Sequence, residues 1–380
     1  MLLEGVFAAI TTPFYSDESV YYRKLEANVA RYSRSLLSGI LVLGSTGESV
    51  LLDEAESADV LRVAAEAAAP EKVLIAGVGQ QSLRSTLKMA EVAARFRYDV
   101  VLVRTPTFYA TQMSASAILN YFRSVADRSP LPVLLYNIPS CVHFDLPVDV
   151  VAALAQHPNI IGIKDSSGSV ERLSATIAAT RNVAPRTVTV TLTFQAVTAR
   201  MLLPPVTAES LITIGNTATL TPSVAATAKT VLSDRNPTPA NPALAKANLK
   251  QANNAVKTST DLKTRTKEIG FQVLTGATGN ILPALEAGAT GAILGSASYI
   301  PQAITEIYLA WKDHDRDLAN EKQGRVRAVG QRISSQLGVP GIKYACDFNG
   351  FYGGLARAPL LSITAEERSE VERLLVTLRH

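Results

Sequence analysis

The chain contains only two cysteines and four histidines among its 380 residues. The two cysteines, Cys141 and Cys346, are too few for a disulfide framework or for a metal site built from cysteine. The histidines include no pair at the HExxH spacing by which a helix presents two ligands to zinc. We therefore expect neither a disulfide scaffold nor a bound metal.

The chain also lacks a strong net charge and a long apolar run. Its formal net charge of +4 is small and dispersed, which argues against a nucleic-acid partner. No stretch approaches the roughly 18 consecutive apolar residues of a membrane span. The N-terminal stretch MLLEGVFAAITTPF carries Glu4 and has no basic start, so we interpret it as a first strand and not as a signal peptide. We expect a soluble, cytoplasmic protein without nucleic-acid or membrane partners.

What is present is an alternation of short apolar runs with longer stretches that have a helical spacing of apolar residues. The apolar runs are continuous, as in strands whose two faces are both buried. They predict strands at residues 5–11, 39–43, 73–77, 99–103, 132–136, 160–164, 271–275 and 291–294. The stretches between them predict helices at residues 22–37, 53–69, 82–96, 114–127, 147–157, 170–181 and 280–287, and after Pro301.

Eight strand–helix units in chain order, without a glycine loop of the nucleotide-binding type, predict an α/β fold of the closed (β/α)8 (TIM) barrel class. The first six units occupy residues 1–182, and the last two occupy residues 271–315. Further helices near residues 317–337, 341–348 and 364–378 predict a C-terminal helical extension over residues 316–380.

Residues 183–270 interrupt this pattern between the sixth helix and the seventh strand. The segment holds ten Lys or Arg against four Asp or Glu, and Phe194 is its only aromatic residue. It predicts a strand at 187–194 and a basic helix at 243–267. FQAVTARMLLP, from Phe194, resembles FQVLTGATGNILP, from Phe271. The segment is therefore either a degenerate repeat of the seventh unit or a long, partly disordered insertion. In either case we expect it on the N-terminal face of the barrel, away from barrel chemistry.

Lys164, in IIGIKDSSG, stands at the C-terminal end of an otherwise apolar predicted strand. Burying an ammonium is costly, but a lysine that works as a neutral amine can attack a ketone and form an imine. The alternative is a lysine paired with Asp165 or another carboxylate. Sequence position alone leaves both interpretations open.

Two further groups stand at the same end of the predicted barrel. Tyr136, in LLYNIPS, ends the strand before that of Lys164, and its phenol can either relay protons or only pack its ring at the rim. The run GSTGE, residues 44–48, follows the second strand. Its backbone N–H groups, together with the Ser45 and Thr46 hydroxyls, suit a carboxylate.

The chain resembles the dihydrodipicolinate synthase / N-acetylneuraminate lyase family of pyruvate-dependent class I aldolases. The resemblance is carried by TTPF, GSTGE, TPTFY, YNIPS and GIKDSSG, in this order and spacing. It runs through residues 5–181 and resumes from residue 271 to the C-terminus, and so leaves out only the segment 183–270.

The resemblance implies roles for particular residues. Lys164 would be the Schiff-base lysine, and Tyr136 the phenol that relays protons. Ser45 and Thr46 would bind the carboxylate of the 2-oxo acid, with Thr46 also in the relay. The family further implies a tyrosine lent across a dimer interface, which is Tyr109 or, if the register shifts by one residue, a position held by Phe108.

The resemblance also implies that Gly276 and Ile293 line the pocket on the last two barrel strands. Family members use no metal or organic cofactor, only the covalent Schiff base on lysine. They assemble as tetramers built from dimers, so the resemblance implies a homodimer or homotetramer that acts on a small 2-oxo acid.

The residues after YNIPS bear on which member the chain resembles. Dihydrodipicolinate synthases usually carry an arginine two residues after the proline, where this chain has Cys141, followed by Val142 and His143. Without this guanidinium, the chain would lose part of the roughly 2–5 kcal/mol of binding free energy that a guanidinium–carboxylate pair represents. This argues against the synthase. His143 is either a substrate-selecting residue or a rim residue, and Cys141 receives no nucleophilic role.

The runs at residues 145–168 and 337–360 resemble the 4-hydroxy-2-oxoglutarate aldolase branch instead. The interpretation is therefore a Schiff-base lyase for 4-hydroxy-2-oxoglutarate or for 2-keto-3-deoxy sugar acids. The alternatives are a 4-hydroxy-tetrahydrodipicolinate (dihydrodipicolinate) synthase of lysine biosynthesis, and a catalytically silent barrel that serves as a sensor or scaffold.

Overall fold

A closed barrel of eight parallel strands forms the centre of the computed structural model, which describes residues 1–193, 195–202 and 262–378. The barrel strands lie side by side in chain order, and the last one pairs with the first. Every neighbouring pair in the barrel is parallel. The fold class predicted from the alternation of apolar runs and helices is therefore confirmed.

The bounds of the elements follow the predicted ones closely. The strands are β1 (Gly5–Ala9), β2 (Gly39–Val42), β3 (Val73–Gly77), β4 (Val100–Arg104), β5 (Val133–Asn137), β6 (Ile160–Asp165), β7 (Arg186–Thr191), β8 (Thr264–Ile269), β9 (Gln272–Thr275) and β10 (Gly291–Leu294). The helices around the barrel are Tyr22–Ser33, Glu54–Ala67, Leu83–Arg95, Ala115–Arg128, Val148–Ala155, Val170–Thr180, Ile281–Glu286 and Pro301–Lys312, with a short helix at Pro139–Val142.

The C-terminal extension is helical, as predicted. It contains the helices Arg316–Val329, Gly338–Phe348 and Ala365–Val376. The first predicted helix, 317–337, is divided, because Gly330–Gln336 adopts a π-helix after Val329.

Alternate residues of each barrel strand pack into two different apolar clusters. Phe7 of β1 joins Leu41 and Leu134 in the interior of the barrel. Val6 and Ala8, its neighbours in the strand, join the cluster that includes the surrounding helices. Both sets are almost fully buried, which explains why the strands read as continuous apolar runs.

The segment 183–270 contributes a hairpin outside the barrel. β7 and β8 pair with each other in antiparallel register and with no barrel strand. The strand predicted at 187–194 is confirmed over Arg186–Thr191, whereas Phe194 lies outside the described residues. The helix predicted at 243–267 is wrong at its C-terminal end, since Thr264–Ile269 is extended and alternates in burial to pack one face. The rest of that prediction falls largely on residues that the structure does not describe.

The described parts of this segment contact residues at the N-terminal ends of the barrel strands. The Thr198 hydroxyl donates to the carbonyl of Pro70, and the Ala199 N–H donates to Asp99, just before β3 and β4 respectively. Arg186 donates to carbonyls that lead into β6, including that of Ile160 at 2.8 Å. These described residues therefore lie at the end of the barrel opposite Lys164. Residues 195–202 contribute no strand to the barrel.

The hairpin is held by a small apolar cluster of Leu2, Val188, Val190 and Ile269. We expect Val190→Ala to lower the free energy of unfolding by about 2 kcal/mol, because it leaves a cavity in this cluster. Thr189→Ala, at the exposed neighbouring position, should change it little. Denaturant unfolding of both variants measures the difference, and equal stabilities would contradict the packing described.

Candidate active site

Three neighbouring strands place one polar side chain each at the same level of the barrel. Arg104, at the end of β4, lies opposite Tyr136 of β5, and Tyr136 lies opposite Lys164 of β6. Neighbouring strands are about 4.8 Å apart, and the three residues occupy positions whose side chains face the interior. The C-terminal end of the barrel therefore brings an amine, a phenol and a guanidinium together.

The Lys164 amine is buried and hydrogen bonded to a neutral group. Only 4% of the residue is exposed. Its Nζ donates to the Tyr136 hydroxyl at 3.1 Å and lies 4.2 Å from the centre of the Tyr136 ring. Among the described residues no carboxylate lies within ion-pair distance of this amine.

Asp165, which could have paired with the lysine, is held by other groups. Its Oδ2 accepts from Arg172 Nε at 2.9 Å and from Asn137 Nδ2 at 3.2 Å. Because successive residues of a strand point to opposite faces, Asp165 is directed away from the Lys164 amine. Of the two interpretations that the sequence left open, the structure excludes the pair with Asp165.

The Tyr136 phenol joins the amine to the loop after β2. Tyr136 is buried, and its hydroxyl lies 3.1 Å from Ser45 Oγ as well as 3.1 Å from Lys164 Nζ. The phenol is therefore hydrogen bonded on both sides and does not simply pack its ring at the rim. A chain of hydrogen-bonded groups runs from Ser45 through Tyr136 to Lys164.

The two hydroxyl residues of GSTGE occupy different surroundings. Ser45 begins the 3₁₀ turn Ser45–Gly47 and is exposed to the cavity, whereas Thr46 is buried. Gly295, after β10, approaches the Thr46 side chain so closely that an added Cβ would lie 3.1 Å from Thr46 Oγ1. Ser45, and not Thr46, makes the hydrogen bond to the Tyr136 hydroxyl. The relay role implied for Thr46 stays a prediction.

A buried ion pair supports this loop from the C-terminal extension. Glu48 adopts a left-handed conformation with φ of 54°, and its Oε1 lies 2.5 Å from Lys343 Nζ, with both side chains fully buried. The backbone N–H of Arg357 donates to the other oxygen of Glu48 at 2.8 Å. Burial lowers the pKa of Lys343, because desolvation disfavours its charge. The helix Gly338–Phe348 therefore helps to hold the Ser45 turn in place.

A cavity of about 380 Å³ opens beside these groups. Ser45, Tyr136, Arg104, Gly79, Ile138 and Cys141 are among the residues that line it. Lys164 is not among the described residues that line the cavity, but its amine contacts the hydroxyl of Tyr136, which does line it. His143 is exposed and ends the short helix Pro139–Val142, and it is not among the residues that line the cavity.

The other predicted site residues are not among the described residues that line this cavity. Phe108 and Tyr109 are 80% and 61% exposed, and their rings contact each other edge to face at 5.1 Å. Ile293 is buried in the barrel interior. An added Cβ on Gly276 would lie 1.9 Å from Ser166 Oγ, so this glycine permits close packing after β6 and β9. The substrate roles implied for these residues remain predictions.

Arg104 and the pair of Glu48 with Lys343 were not among the predicted site residues. An arginine that ends an apolar run, as in VVLVR, is the same signal that identified Lys164. Nothing in the sequence joins Glu48 to Lys343, because almost three hundred residues separate them and only the folded chain brings them together.

Within the described ranges, no three His, Cys, Asp or Glu side chains are grouped so that they could ligate a metal ion. Over the same ranges no helix combines the length and the apolar character that a membrane crossing requires.

The fold and the site together define a (β/α)8-barrel protein with a buried lysine beside a cavity at the C-terminal end of its strands. A sequence model of the dihydrodipicolinate synthetase family matches residues 2–189 and 244–378. The chain therefore belongs to the dihydrodipicolinate synthetase family.

Individual relatives carry more than one name. The chain is 37% identical over 182 residues to the probable mitochondrial 4-hydroxy-2-oxoglutarate aldolase of Emericella nidulans, an alignment that covers 47% of this chain and 59% of the relative. It is 35% identical over 173 residues to the 4-hydroxy-tetrahydrodipicolinate synthase of Methanosarcina acetivorans, covering 46% and 58%. The chain thus spans about six tenths of the length of these curated relatives.

Solved structures show the same fold at low identity. Dihydrodipicolinate synthase DapA-2 of Bacillus anthracis superposes with a TM-score of 0.72 at 20% identity, over 98% of this chain and 97% of that one. YagE, a prophage protein of the dihydrodipicolinic acid synthase family from E. coli K12 in complex with pyruvate, gives a TM-score of 0.72 at 22% identity over 100% and 99%.

The buried pair of Glu48 and Lys343 leads to a stability prediction. Glu48→Gln or Lys343→Met should each lower the free energy of unfolding by about 3–5 kcal/mol, because each leaves one buried charge unpaired. The double variant should be more stable than the worse single variant, since neither charge remains. Denaturant unfolding of the wild type, the two single variants and the double variant measures this double-mutant cycle.

Glu66→Gln is the matched control, because Glu66 pairs with Arg62 at an exposed position and such pairs contribute little. Single variants as stable as this control would show that the buried pair does not hold the loop.

Proposed function

We propose that this chain is a Schiff-base-forming lyase, of the class I aldolase type, that acts on pyruvate or a related 2-oxo acid without a metal or organic cofactor. The observation that carries the proposal is the Lys164 amine. It is buried at the C-terminal end of β6 and donates to the Tyr136 hydroxyl at 3.1 Å. Membership of the dihydrodipicolinate synthetase family supports the same class of reaction.

The first step is attack of the neutral Lys164 amine on the keto carbon. The new C–N bond gives a carbinolamine, the hydroxyl of which leaves as water once it is protonated, and an imine remains. Tyr136 would supply and recover these protons, and the contacts of its hydroxyl with both the amine and Ser45 support this role. The Ser45 turn, with its backbone N–H groups, would hold the carboxylate next to the keto group.

The imine then serves as an electron sink for breaking a C–C bond. In a 4-hydroxy-2-oxo acid, loss of the hydroxyl proton releases the distal fragment as an aldehyde and leaves an enamine on Lys164. Protonation of the enamine carbon and hydrolysis of the resulting imine release pyruvate and restore the amine. Every step is reversible, so the same groups serve synthesis and cleavage.

Substrates of the 4-hydroxy-2-oxoglutarate or 2-keto-3-deoxy sugar acid type are the ones we favour. The name of the relative from Emericella nidulans is consistent with the first type. The competing function is 4-hydroxy-tetrahydrodipicolinate synthesis, which the name of the Methanosarcina acetivorans relative favours. Against it, Cys141 lines the cavity where the synthases usually carry an arginine.

Assembly into a homodimer or homotetramer is part of the proposal. Phe108 and Tyr109 project from the rim with their rings largely exposed, where a second copy of the chain could cover them. Tyr109 would then extend the relay of the neighbouring copy.

The Schiff base provides the first test. Incubation with pyruvate and borohydride should add one reduced pyruvate imine to Lys164, located by peptide mass spectrometry, and Lys164→Ala should show no adduct. Lys72 and Lys343 are internal controls in the same digest, because both are buried away from the cavity. No adduct with pyruvate or other 2-oxo acids in folded protein would favour the silent barrel.

The relay provides the second test. We expect Tyr136→Phe to lower kcat for cleavage of 4-hydroxy-2-oxoglutarate by about 100-fold or more, since positioned acid–base groups contribute at least that much. Tyr98→Phe removes a buried hydroxyl that donates to the Leu61 carbonyl, far from the cavity, and should leave kcat unchanged. Equal rates in the two variants would remove Tyr136 from the mechanism.

A further inference from the structure

Arg104 presents a partly buried guanidinium to the cavity without a partner from the described residues. Its side chain lines the cavity together with Tyr136 and Cys141. Within the described ranges, no hydrogen-bond acceptor or carboxylate lies within bonding distance of it. Burial lowers the pKa of Arg104, because desolvation disfavours the charged form.

Other partly buried arginines of the chain have acceptors. Arg172 donates to Asp165 at 2.9 Å, and Arg357 donates to both oxygens of Glu56 at 2.7 Å. A desolvated charge without a counter-charge costs free energy. The guanidinium of Arg104 therefore points to a group that arrives from outside the chain.

Arg104 lies at the same level of the barrel as Lys164, two strands away. Arg104, Tyr136 and Lys164 are in register on consecutive strands, so the Cα atoms of Arg104 and Lys164 are about 10 Å apart, two strand spacings. Both side chains extend into the interior between these points. Tyr136 stands between them, and the cavity that Arg104 and Tyr136 line has a volume of about 380 Å³, which is typical of small-ligand sites.

Gly79, in the loop after β3, leaves the room that Arg104 occupies. A Cβ added to Gly79 would lie 2.7 Å from the backbone nitrogen of Arg104 and 2.8 Å from its Cγ. A larger residue at 79 would therefore displace the arginine. The cavity is shaped around this side chain.

No Asp or Glu is among the described residues that line the cavity, so the guanidinium faces no competing carboxylate there. A guanidinium binds a carboxylate through two parallel hydrogen bonds, with a geometry that an ammonium cannot reproduce. We propose that Arg104 binds the second carboxylate of a dicarboxylic 2-oxo acid, at the end remote from Lys164. This inference rests on the proposed function and selects the 4-hydroxy-2-oxoglutarate type over neutral-tailed sugar acids.

Two probes that differ only in the distal group test the assignment. 2-Oxoglutarate and 2-oxopentanoate have the same five-carbon chain, which ends in a carboxylate or in a methyl group. We expect borohydride trapping on Lys164 to reach half-saturation at a concentration about 100-fold lower for 2-oxoglutarate than for 2-oxopentanoate. A buried guanidinium–carboxylate pair can account for a difference in affinity of this size. Arg104→Met should abolish this preference, and the half-saturating concentration of pyruvate, which has no distal carboxylate, provides the reference for each protein.

Arg95→Met, at an exposed position on the helix Leu83–Arg95, is the matched control and should keep the full preference. Arg104→Lys should recover only part of it, because the ammonium lacks the fork. Gly79→Ala should also raise the concentration of 2-oxoglutarate that gives half-saturation, since the added methyl group displaces Arg104. Persistence of the preference in folded Arg104→Met would overturn the assignment.

Calorimetry in the Lys164→Ala background separates this inference from the proposed function. Binding of 2-oxoglutarate there needs no imine, so its loss on adding Arg104→Met supports the carboxylate contact even if no adduct forms in the wild type. Equal binding with and without Arg104→Met would refute the contact. A missing pyruvate adduct in the wild type would refute the lyase alone.

Discussion

The parallel register of the barrel strands is the constraint on which the site depends. It sets Arg104 beside Tyr136 and Tyr136 beside Lys164, all directed to the interior. The same alternation turns Asp165 to the other face, where Arg172 and Asn137 hold it. The amine is left with a phenol as its hydrogen-bond partner and without a carboxylate from the described residues. A one-residue shift of β6 would exchange the positions of lysine and aspartate.

Different contacts stabilise the two ends of the barrel. At the N-terminal end, the segment that carries β7 donates hydrogen bonds to residues just before β3 and β4 and so adds contacts that hold the fold. At the C-terminal end, the helix Gly338–Phe348 supplies Lys343 to the loop that carries Ser45. A buried ion pair is a costly way to hold a loop, but it positions the turn that the proposed chemistry needs.

Most of the barrel was predictable, because strands buried on both faces leave continuous apolar runs and the helices between them keep their own periodicity. The errors have physical causes. Residues 264–269 are all polar except Ile269 and alternate only in exposure on the hairpin, so their sequence lacks the alternation of apolar residues that would indicate a strand. Arg104 was missed because a charged residue at the end of a strand is usually solvated, and only the folded structure shows that this one is partly buried and lines a cavity.

The sequence by itself determined the barrel, its C-terminal helices, and the presence of Lys164, Tyr136 and Ser45 at the chemical end, because periodicity and motif order are local properties of the chain. Only the tertiary structure decided which groups are partners. It joined Lys164 to Tyr136, assigned Asp165 to Arg172, paired Glu48 with Lys343, and left Arg104 facing the cavity. Such pairings depend on side-chain direction and on separations of about 3 Å between residues distant in sequence, and a linear pattern contains neither.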